Sequence, residues 1–238
     1  MKIKTLLIDD ERLARKGLTS LLQHIPDIDV VGEAANVDEA LKQIDKLKPD
    51  LLFLDIEMPE RSGFDLLEEL IDVPHVIFVT AYNEFAIHAF EVNALDYILK
   101  PVSEVRLQEA VQRVRKVMIN VQSLPLLKDM DEQVFIRDGE KCWFVKLADI
   151  RLIESVGNYA RIYFDTYKPL IHKTLNALDE RLGGKRFFRA NRQQIVNLSY
   201  VDKIESAYNG GIIIVMKDQT RIEISRRQSV KFKEMMSL

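Results

Sequence analysis

Residues 51–59 read Leu-Leu-Phe-Leu-Asp-Ile-Glu-Met-Pro. Four consecutive apolar residues between polar neighbours are typical of a short strand that is buried on both faces of a sheet. Asp55 then ends the strand, and Pro59 lies in the loop that follows. The stretch therefore predicts a buried strand with a carboxylate at its carboxyl end.

Four further apolar runs resemble this strand, at residues 3–8, 28–31, 76–79 and 97–99, and segments with a helical period lie between them. The predicted helix faces are Leu13, Leu18, Leu21 and Leu22 after the first run, and Ala40, Leu41, Ile44 and Leu47 before residues 51–54. Regular alternation of strand and helix implies right-handed crossovers and a parallel sheet that is covered on both faces. We therefore expect an α/β, doubly wound domain with a five-stranded parallel sheet in residues 1–120.

The pattern changes after residue 120. Residues 121–133 contain Pro125 and several charges with little periodicity, and we interpret them as a linker. Short β-rich stretches follow at 134–137, 142–146, 150–156, 159–164, 201–208, 212–217 and 220–224, with turns at Asn209-Gly210-Gly211 and Lys217-Asp218-Gln219. Helical signal is confined to about 174–182 and to the end from about 226. Residues 134–238 are therefore predicted to form a second, mainly antiparallel β domain.

Composition excludes several classes of protein. The single cysteine, Cys142, cannot form an intramolecular disulfide, and no cysteine and histidine cluster has metal-ligand spacing. No apolar run approaches the about 20 residues that span a bilayer, and no basic start leads into an apolar segment. We expect a soluble, cytoplasmic protein without a membrane partner.

The charge is divided between the two halves. Residues 1–124 hold 14 Lys and Arg against 22 Asp and Glu, a net charge of -8, whereas residues 125–238 hold 20 against 15, a net charge of +5. The acidic half therefore suits cations, and the basic half suits polyanions such as nucleic acid.

Polar residues follow the predicted strands of the acidic half at the edge where an open α/β sheet binds its ligands. Asp9 and Asp10 follow the first strand, Asp55 the third, Thr80 ends the fourth, and Lys100 follows the fifth. Clustered carboxylates repel one another, so such a site normally needs a divalent cation, and oxygen ligands favour Mg²⁺ or Mn²⁺.

Asp55 is the predicted nucleophile of this cluster, because a carboxylate beside Mg²⁺ can attack a phosphoryl group. The carbonyl of Glu57 is expected to bind the metal ion together with Asp9, Asp10 and Asp55. Thr80 would bond one phosphoryl oxygen and Lys100 would pair with another. A cis bond between Lys100 and Pro101 would direct the lysine inward.

These motifs resemble the receiver domains of response regulators. The resemblance rests on Asp9-Asp10, Leu54-Asp55-Ile56-Glu57-Met58-Pro59, Val79-Thr80-Ala81 and Leu99-Lys100-Pro101. It implies a flavodoxin-like fold, with Asp55 as the phosphoacceptor and Asp9, Asp10 and Glu57 at the metal site. It also implies that Thr80 and Tyr97 act as a switch pair, and that the chain is not an enzyme beyond weak self-dephosphorylation.

Three segments of the basic half are candidates for contact with DNA. Residues 186–198 alternate apolar anchors with arginines and amides, and arginine with Asn or Gln reads base edges in the major groove. Residues 224–228 place two arginines at a predicted helix start, and residues 157–161 form a polar turn. The candidate residues are Asn158, Tyr159, Arg189, Asn191, Arg192, Arg226 and Arg227.

These segments resemble the LytTR family of DNA-binding domains. The resemblance is carried by Ile153-Glu154-Ser155, Phe187-Phe188-Arg189-Ala190-Asn191-Arg192, Val196-Asn197 and Ile224-Ser225-Arg226-Arg227. It implies that loops of an elongated β fold enter successive major grooves, with base contacts from the Asn158-Tyr159 turn, Arg192 and Arg227. Asn191 stands where the family commonly has histidine.

Together the two halves predict a transcriptional response regulator. A sensor histidine kinase would phosphorylate Asp55, and the phosphorylated chain would form homodimers that bind repeated sites in double-stranded DNA. Two alternatives remain, in which the receiver domain controls an enzymatic output or an RNA-binding output. The C-terminal half lacks a nucleophile and base pair, a Gly-rich phosphate loop and a metal cluster, which counts against an enzyme. An RNA-binding sheet would need exposed aromatic residues.

Overall fold

The computed structural model describes residues 2–70, 72–81, 95–122, 132–183, 186–206 and 211–236. The chain forms two compact units, Met1–Val145 and Lys146–Leu238. Within the described residues, no helix is both long enough and apolar enough to cross a lipid bilayer.

Five parallel strands form the main sheet of the first unit: β1 (Ile3–Ile8), β2 (Ile28–Ala34), β3 (Leu51–Leu54), β4 (His75–Thr80) and β5 (Asp96–Leu99). The described helices are α1 (Arg12–Leu22), α2 (Val37–Leu47), α3 (Gly63–Glu69) and α4 (Glu104–Gln122). The strand order β2-β1-β3-β4-β5 places the carboxyl ends of β1 and β3 side by side. The predicted doubly wound α/β fold is confirmed.

Side chains of the strands alternate between two buried cores, one on each face of the sheet. Phe53 of β3 packs in the core that contains α1 and α4, whereas Leu52 of β3 and Phe78 of β4 pack in the core that contains α2 and α3. The predicted inward position of Leu13 is wrong, because its side chain is 76% exposed. Leu13 precedes the buried Leu18 by five residues, which turns it about 140° around the helix axis.

A short hairpin extends the first unit beyond the sheet. It consists of β6 (Gln133–Asp138) and β7 (Lys141–Lys146), and it packs against α3. Phe135, Cys142 and Phe144 of the hairpin are buried in the core that contains α2 and α3. The sequence pattern predicts this hairpin in the second domain, whereas all but its last residue lies in the first compact unit. The domain limits 1–120, 121–133 and 134–238 stay predictions.

The second unit is built from antiparallel sheets. The strands are β8 (Ile150–Val156), β9 (Tyr159–Phe164), β10 (Leu170–Ile171), β11 (Phe187–Arg189), β12 (Gln194–Asn197), β13 (Val201–Ser206), β14 (Ile212–Met216) and β15 (Arg221–Ile224). They form one sheet in the order β10-β9-β8-β12-β11 and another in the order β13-β14-β15. Two helices, α5 (Leu175–Leu182) and α6 (Arg226–Met236), complete the described part. The expected mainly antiparallel β architecture is confirmed.

The core of this unit holds the segment 186–198 against the C-terminal helix. Phe188 of β11 and Phe232 of α6 are in contact, with ring centroids 5.0 Å apart, and both side chains are buried. β11 and β12 were not among the predicted strands, although their apolar residues were predicted as anchors. The Lys217-Asp218-Gln219 turn joins β14 to β15 as expected, whereas Asn209 and Gly210 lie outside the described residues.

Candidate functional site

Three carboxylates meet at the carboxyl end of the parallel sheet. Each of Asp9, Asp10 and Asp55 offers an oxygen within 4.8 Å of the others. Asp9 and Asp55 are buried, at 7% and 5% exposure, whereas Asp10 is exposed. The backbone N–H of Asp55 donates to the carbonyl of Ile8 at 2.8 Å, so the pairing of β3 with β1 fixes this residue. The structure therefore brings together three of the four predicted metal ligands through their side chains.

Lys100 lies between two of these carboxylates. Its Nζ atom is 2.7 Å from Oδ2 of Asp9 and 2.6 Å from Oδ2 of Asp55. The Lys100–Pro101 peptide bond is cis, and the backbone N–H of Lys100 donates to the carbonyl of Thr80 at 2.9 Å. Burial disfavours the charged lysine, but its hydrogen bonds and charge interactions with Asp55 and Asp9 outweigh burial, so the pKa of Lys100 is raised. The lysine therefore remains a cation directly beside the predicted nucleophile.

The pKa values of neighbouring groups also record this environment. Burial raises the pKa of Asp9, although hydrogen bonds from Lys100 and from the backbone of Glu11 lower it. Burial and the charge of Asp55 raise the pKa of Tyr97 to about 12. A site with three carboxylates and one ammonium favours an added cation, and its oxygen donors suit Mg²⁺ or Mn²⁺.

The predicted switch residues are both buried. Thr80 is 0% exposed at the end of β4, and Tyr97 is 7% exposed on the adjacent strand β5. Tyr97 is paired in register with Phe78, two residues before Thr80. Both residues therefore lie on the strands that border Lys100, and their action as a switch stays a prediction.

The loop after Asp55 depends on Gly63, which belongs to none of the sequence motifs at this site. The backbone N–H of Glu57 donates to Oδ1 of Asp55 at 3.3 Å, while the role of its carbonyl as a metal ligand stays a prediction. Gly63 donates to the carbonyl of Ile56 at 2.8 Å, and a Cβ atom at Gly63 would lie 2.3 Å from the carbonyl oxygen of Asp55. Only glycine fits this close approach. The available signal was a glycine at the start of a helix just after the loop.

Several predicted DNA-binding residues line a cleft of about 450 Å³ in the second unit. Its walls come from the β11–β12 turn, from α5 and from the start of α6. The residues that line it are Asn176, Asp179, Arg189, Asn191, Arg192, Ser225, Arg227, Gln228 and Lys231. The exposed cations Arg192, Arg227 and Lys231 make this cleft suitable for an anionic ligand.

Arg189 and Asn191 use their polar atoms to hold the β11–β12 turn. Nε of Arg189 donates to the carbonyl of Asn191 at 2.6 Å, and its Nη2 donates to the carbonyl of Arg192 at 2.8 Å. Nδ2 of Asn191 donates to the side chain of Gln194 and to the carbonyl of Glu223, both at 2.9 Å. These bonds shape the turn that presents Arg192, and direct contact of Arg189 or Asn191 with DNA stays a prediction.

The start of α6 is connected to the same turn. The backbone N–H of Ser225 donates to the carbonyl of Ala190 at 2.9 Å, which links the residue before α6 to the β11–β12 segment. Arg226 and Arg227 are exposed in the first turn of the helix. Backbone N–H groups at a helix start favour an anion, so these arginines lie in an environment that suits a phosphate.

Asn158 and Tyr159 occupy a different position. They follow Gly157, whose φ of +61° permits the tight turn between β8 and β9. Both residues are exposed, and the Tyr159 ring meets the His172 ring edge-on at 5.2 Å. They do not line the cleft formed by the other candidates.

Two family models match the chain: the response regulator receiver domain over residues 5–112 and the LytTr DNA-binding domain over residues 140–237. An uncharacterized response regulatory protein of Vibrio cholerae serotype O1 is 36% identical over 236 residues, covering 98% of each chain. The chain belongs to the LytTR response regulators. The transcriptional regulatory protein BtsR of Escherichia coli strain K12 is similar to this response regulator, with 33% identity over 244 residues, covering 99% of the chain and 100% of BtsR.

The solved receiver domain of AraT, a response regulator from Geobacillus stearothermophilus, is 34% identical to this chain. The match covers 51% of this chain and 99% of the AraT chain, with a TM-score of 0.47. The two matched domains indicate that this response regulator is a regulator rather than an enzyme. The C-terminal half matches a DNA-binding domain, which favours the DNA-binding prediction over the enzymatic and RNA-binding alternatives.

Proposed function

We propose that this response regulator accepts a phosphoryl group on Asp55 from a sensor histidine kinase and then binds promoter DNA to control transcription. The observation that carries the proposal is the buried Asp55 carboxylate, 2.6 Å from Lys100, in a chain that also matches a LytTR DNA-binding domain. The name of BtsR as a transcriptional regulatory protein supports the same function. Access to promoter DNA would place the protein in the cytoplasm.

Phosphoryl transfer at this site would be a displacement at phosphorus. An oxygen of the Asp55 carboxylate forms a bond to phosphorus while the bond from phosphorus to the imidazole nitrogen of the kinase breaks. Lys100 pairs with a phosphoryl oxygen, and the Thr80 hydroxyl donates to another. Mg²⁺, or Mn²⁺ in its place, would be held by Asp9, Asp10, Asp55 and the Glu57 carbonyl and would neutralise charge on the phosphoryl oxygens. Slow hydrolysis of the acyl phosphate would return the free carboxylate.

Phosphorylation would then bias a two-state receiver domain. The added charge at Asp55 draws the Thr80 hydroxyl toward the phosphoryl group, and the space that this movement opens allows the buried Tyr97 ring to repack against the end of β4. The changed surface favours a homodimer, which matches DNA with repeated sites because each subunit binds one repeat. The buried positions of Thr80 and Tyr97 on adjacent strands support this coupling.

The DNA contacts would be divided between base readout and phosphate binding. Arg192 and Arg227 are the proposed base-reading residues, since both are exposed and line one cleft. Arg226, Asn158 and Tyr159 would add contacts at the helix start and at the β8–β9 turn. Arg189 and Asn191 would act mainly by holding the turn that carries Arg192.

Replacement of Lys100 by alanine is expected to abolish the increase in DNA affinity that phosphorylation causes, even where the variant still accepts some label. The charge-assisted hydrogen bond from Lys100 to the phosphoryl group links phosphorylation of Asp55 to the conformational change of the receiver domain. Label stoichiometry and DNA affinity would be measured on the full chain with acetyl phosphate and Mg²⁺. Lys42→Ala, at an exposed position of α2, is the matched control. An unchanged phosphorylation-dependent increase in Lys100→Ala would contradict this role.

A further inference from the structure

The β6–β7 hairpin packs on the receiver unit with its own apolar side chains. Phe135, Cys142 and Phe144 are 7%, 4% and 5% exposed, and they share one buried cluster with Phe78 and Tyr97. The receiver family model ends at residue 112 and the LytTR model begins at residue 140, so the hairpin straddles the start of the DNA-binding match. A segment at the edge of the output domain therefore completes a core of the receiver unit.

Aromatic contacts account for the apolar part of this packing. The Phe135 ring stacks on the Phe64 ring of α3, with centroids 5.7 Å apart and planes at 6°. Phe144 contacts Phe78 of β4 at 6.4 Å and Phe135 at 5.2 Å. The hairpin therefore rests on α3 and β4 together.

Polar contacts fix the hairpin in register on this surface. The backbone N–H of Val73 donates to the carbonyl of Gln133 at 3.0 Å, and the Gln133 side-chain amide donates back to the carbonyl of Val73 at 3.1 Å. Arg137 lies 3.4 Å from Asp65 and 3.7 Å from Glu68, and its guanidinium is 5.7 Å from the centre of the Phe64 ring. A basic side chain of the hairpin thus pairs with the acidic face of α3.

The elements that hold the hairpin are also those that border the phosphoacceptor. α3 begins at Gly63, which is in backbone contact with the loop that follows Asp55, and β4 ends at Thr80. Tyr97, the second predicted switch residue, lies in the same buried cluster as the hairpin. A movement of Tyr97 would therefore disturb the cluster that the hairpin completes.

We propose that the β6–β7 hairpin is an autoinhibitory element that is docked on α3 and β4 in the unphosphorylated protein and is released when Asp55 is phosphorylated. This inference rests on the proposed phosphorylation of Asp55. Because β7 continues directly into the second compact unit at Lys146, release ends the hold of the receiver core on the segment that leads into the DNA-binding unit. The receiver domain thereby controls how freely that unit can reach a DNA site.

Cys142 provides a native reporter, because it is the single cysteine of the chain and its side chain is buried on the docked face of β7. The rate at which a maleimide reagent modifies Cys142 in the full-length protein would be measured with and without acetyl phosphate and Mg²⁺, and intact mass would give the phosphorylation stoichiometry. We expect phosphorylation to raise the rate by about tenfold, because local release exposes the thiol. Asp55→Asn should show no rise under the same conditions.

A second variant tests the docking without phosphorylation. Arg137→Glu places like charges beside Asp65 and Glu68, so we expect faster modification of Cys142 and tighter DNA binding without a phosphodonor. Burial raises the pKa of the Cys142 thiol to about 11, and the charge of Arg137 offsets part of that rise. Loss of the Arg137 charge alone would therefore slow the reaction, so a faster rate reports exposure of the thiol. Arg137→Lys, which keeps the charge, should behave like the wild type.

The outcomes separate the two proposals. Full phosphorylation with an unchanged Cys142 rate would overturn the release of the hairpin and leave the role of Asp55 intact. A slower or unchanged rate in a folded Arg137→Glu variant would show that this contact does not hold the hairpin and would also count against the inference. Absence of any phosphorylation of the wild type would contradict the proposed function and the inference with it.

Discussion

Asp55→Asn is expected to abolish the Mg²⁺-dependent phosphorylation of this response regulator by acetyl phosphate. The amide is a poor nucleophile, and the substitution also removes one negative charge from the proposed metal site. The shape of the side chain is retained, and the backbone hydrogen bond from residue 55 to Ile8 does not involve the side chain, so the fold should persist. Phosphate incorporation would be measured by intact mass and by labelling of the full chain.

Asp45→Asn is a suitable control for this experiment, because it makes the same chemical change at a carboxylate that is 86% exposed on α2. The control should incorporate phosphate as the wild type does. Chelation of Mg²⁺ should prevent labelling of the wild type and of Asp45→Asn, since the cluster of Asp9, Asp10 and Asp55 would then lack its cation. Full labelling of Asp55→Asn would exclude Asp55 as the phosphoacceptor.

Arg192→Ala and Arg227→Ala are each expected to weaken binding to the cognate DNA site by about 1 to 3 kcal/mol and to relax sequence preference at one or two base pairs. The physical reason is that an arginine bonded to a base edge discriminates among bases, whereas a phosphate contact is the same for every sequence. Affinity would be measured against a randomised duplex library at two salt concentrations.

Lys231→Ala is the matched control within the same cleft. Loss of a phosphate contact there should lower the affinity for every DNA sequence by the same factor. It should also reduce the slope of log affinity against log salt concentration by about one unit. If both arginine variants lose affinity uniformly and keep the wild-type preference, they bind phosphates and the base-reading assignment is wrong. Arg189→Ala should relax the DNA sequence preference in the same way as Arg192→Ala, because Nη2 of Arg189 donates a hydrogen bond to the backbone carbonyl of Arg192.

The receiver sheet and its polar edge could be predicted because their signals are local. The run at residues 51–54 is apolar without interruption, and such a run fits a strand that is covered on both faces. The fold then dictates that residues directly after β1 and β3 meet, and Asp9 and Asp55 do meet. The distances from Lys100 to both carboxylates follow from the same strand ends.

Other features depend on partners that are distant in sequence. Asn191 is bonded to the carbonyl of Glu223, 32 residues away, so its internal role could not be inferred from the alternation in residues 186–198. The apolar residues of the hairpin predict two strands but do not indicate the surface on which they pack. Gly63 is required because the carbonyl oxygen of Asp55 lies too close for any Cβ atom, and the pattern of apolar and polar side chains does not reveal this backbone contact. Sequence periodicity thus predicts elements better than it predicts their contacts.

The most direct test of the account compares DNA binding by the full-length protein before and after phosphorylation. A duplex with repeated sites, selected from a randomised library by the phosphorylated protein, would be titrated with wild type and with Asp55→Asn, each with and without acetyl phosphate and Mg²⁺. We predict that phosphorylation raises the affinity of the wild type by about tenfold or more and leaves Asp55→Asn unchanged. Equal affinity of the fully phosphorylated and unphosphorylated wild type would contradict the central claim that phosphorylation of Asp55 controls DNA binding.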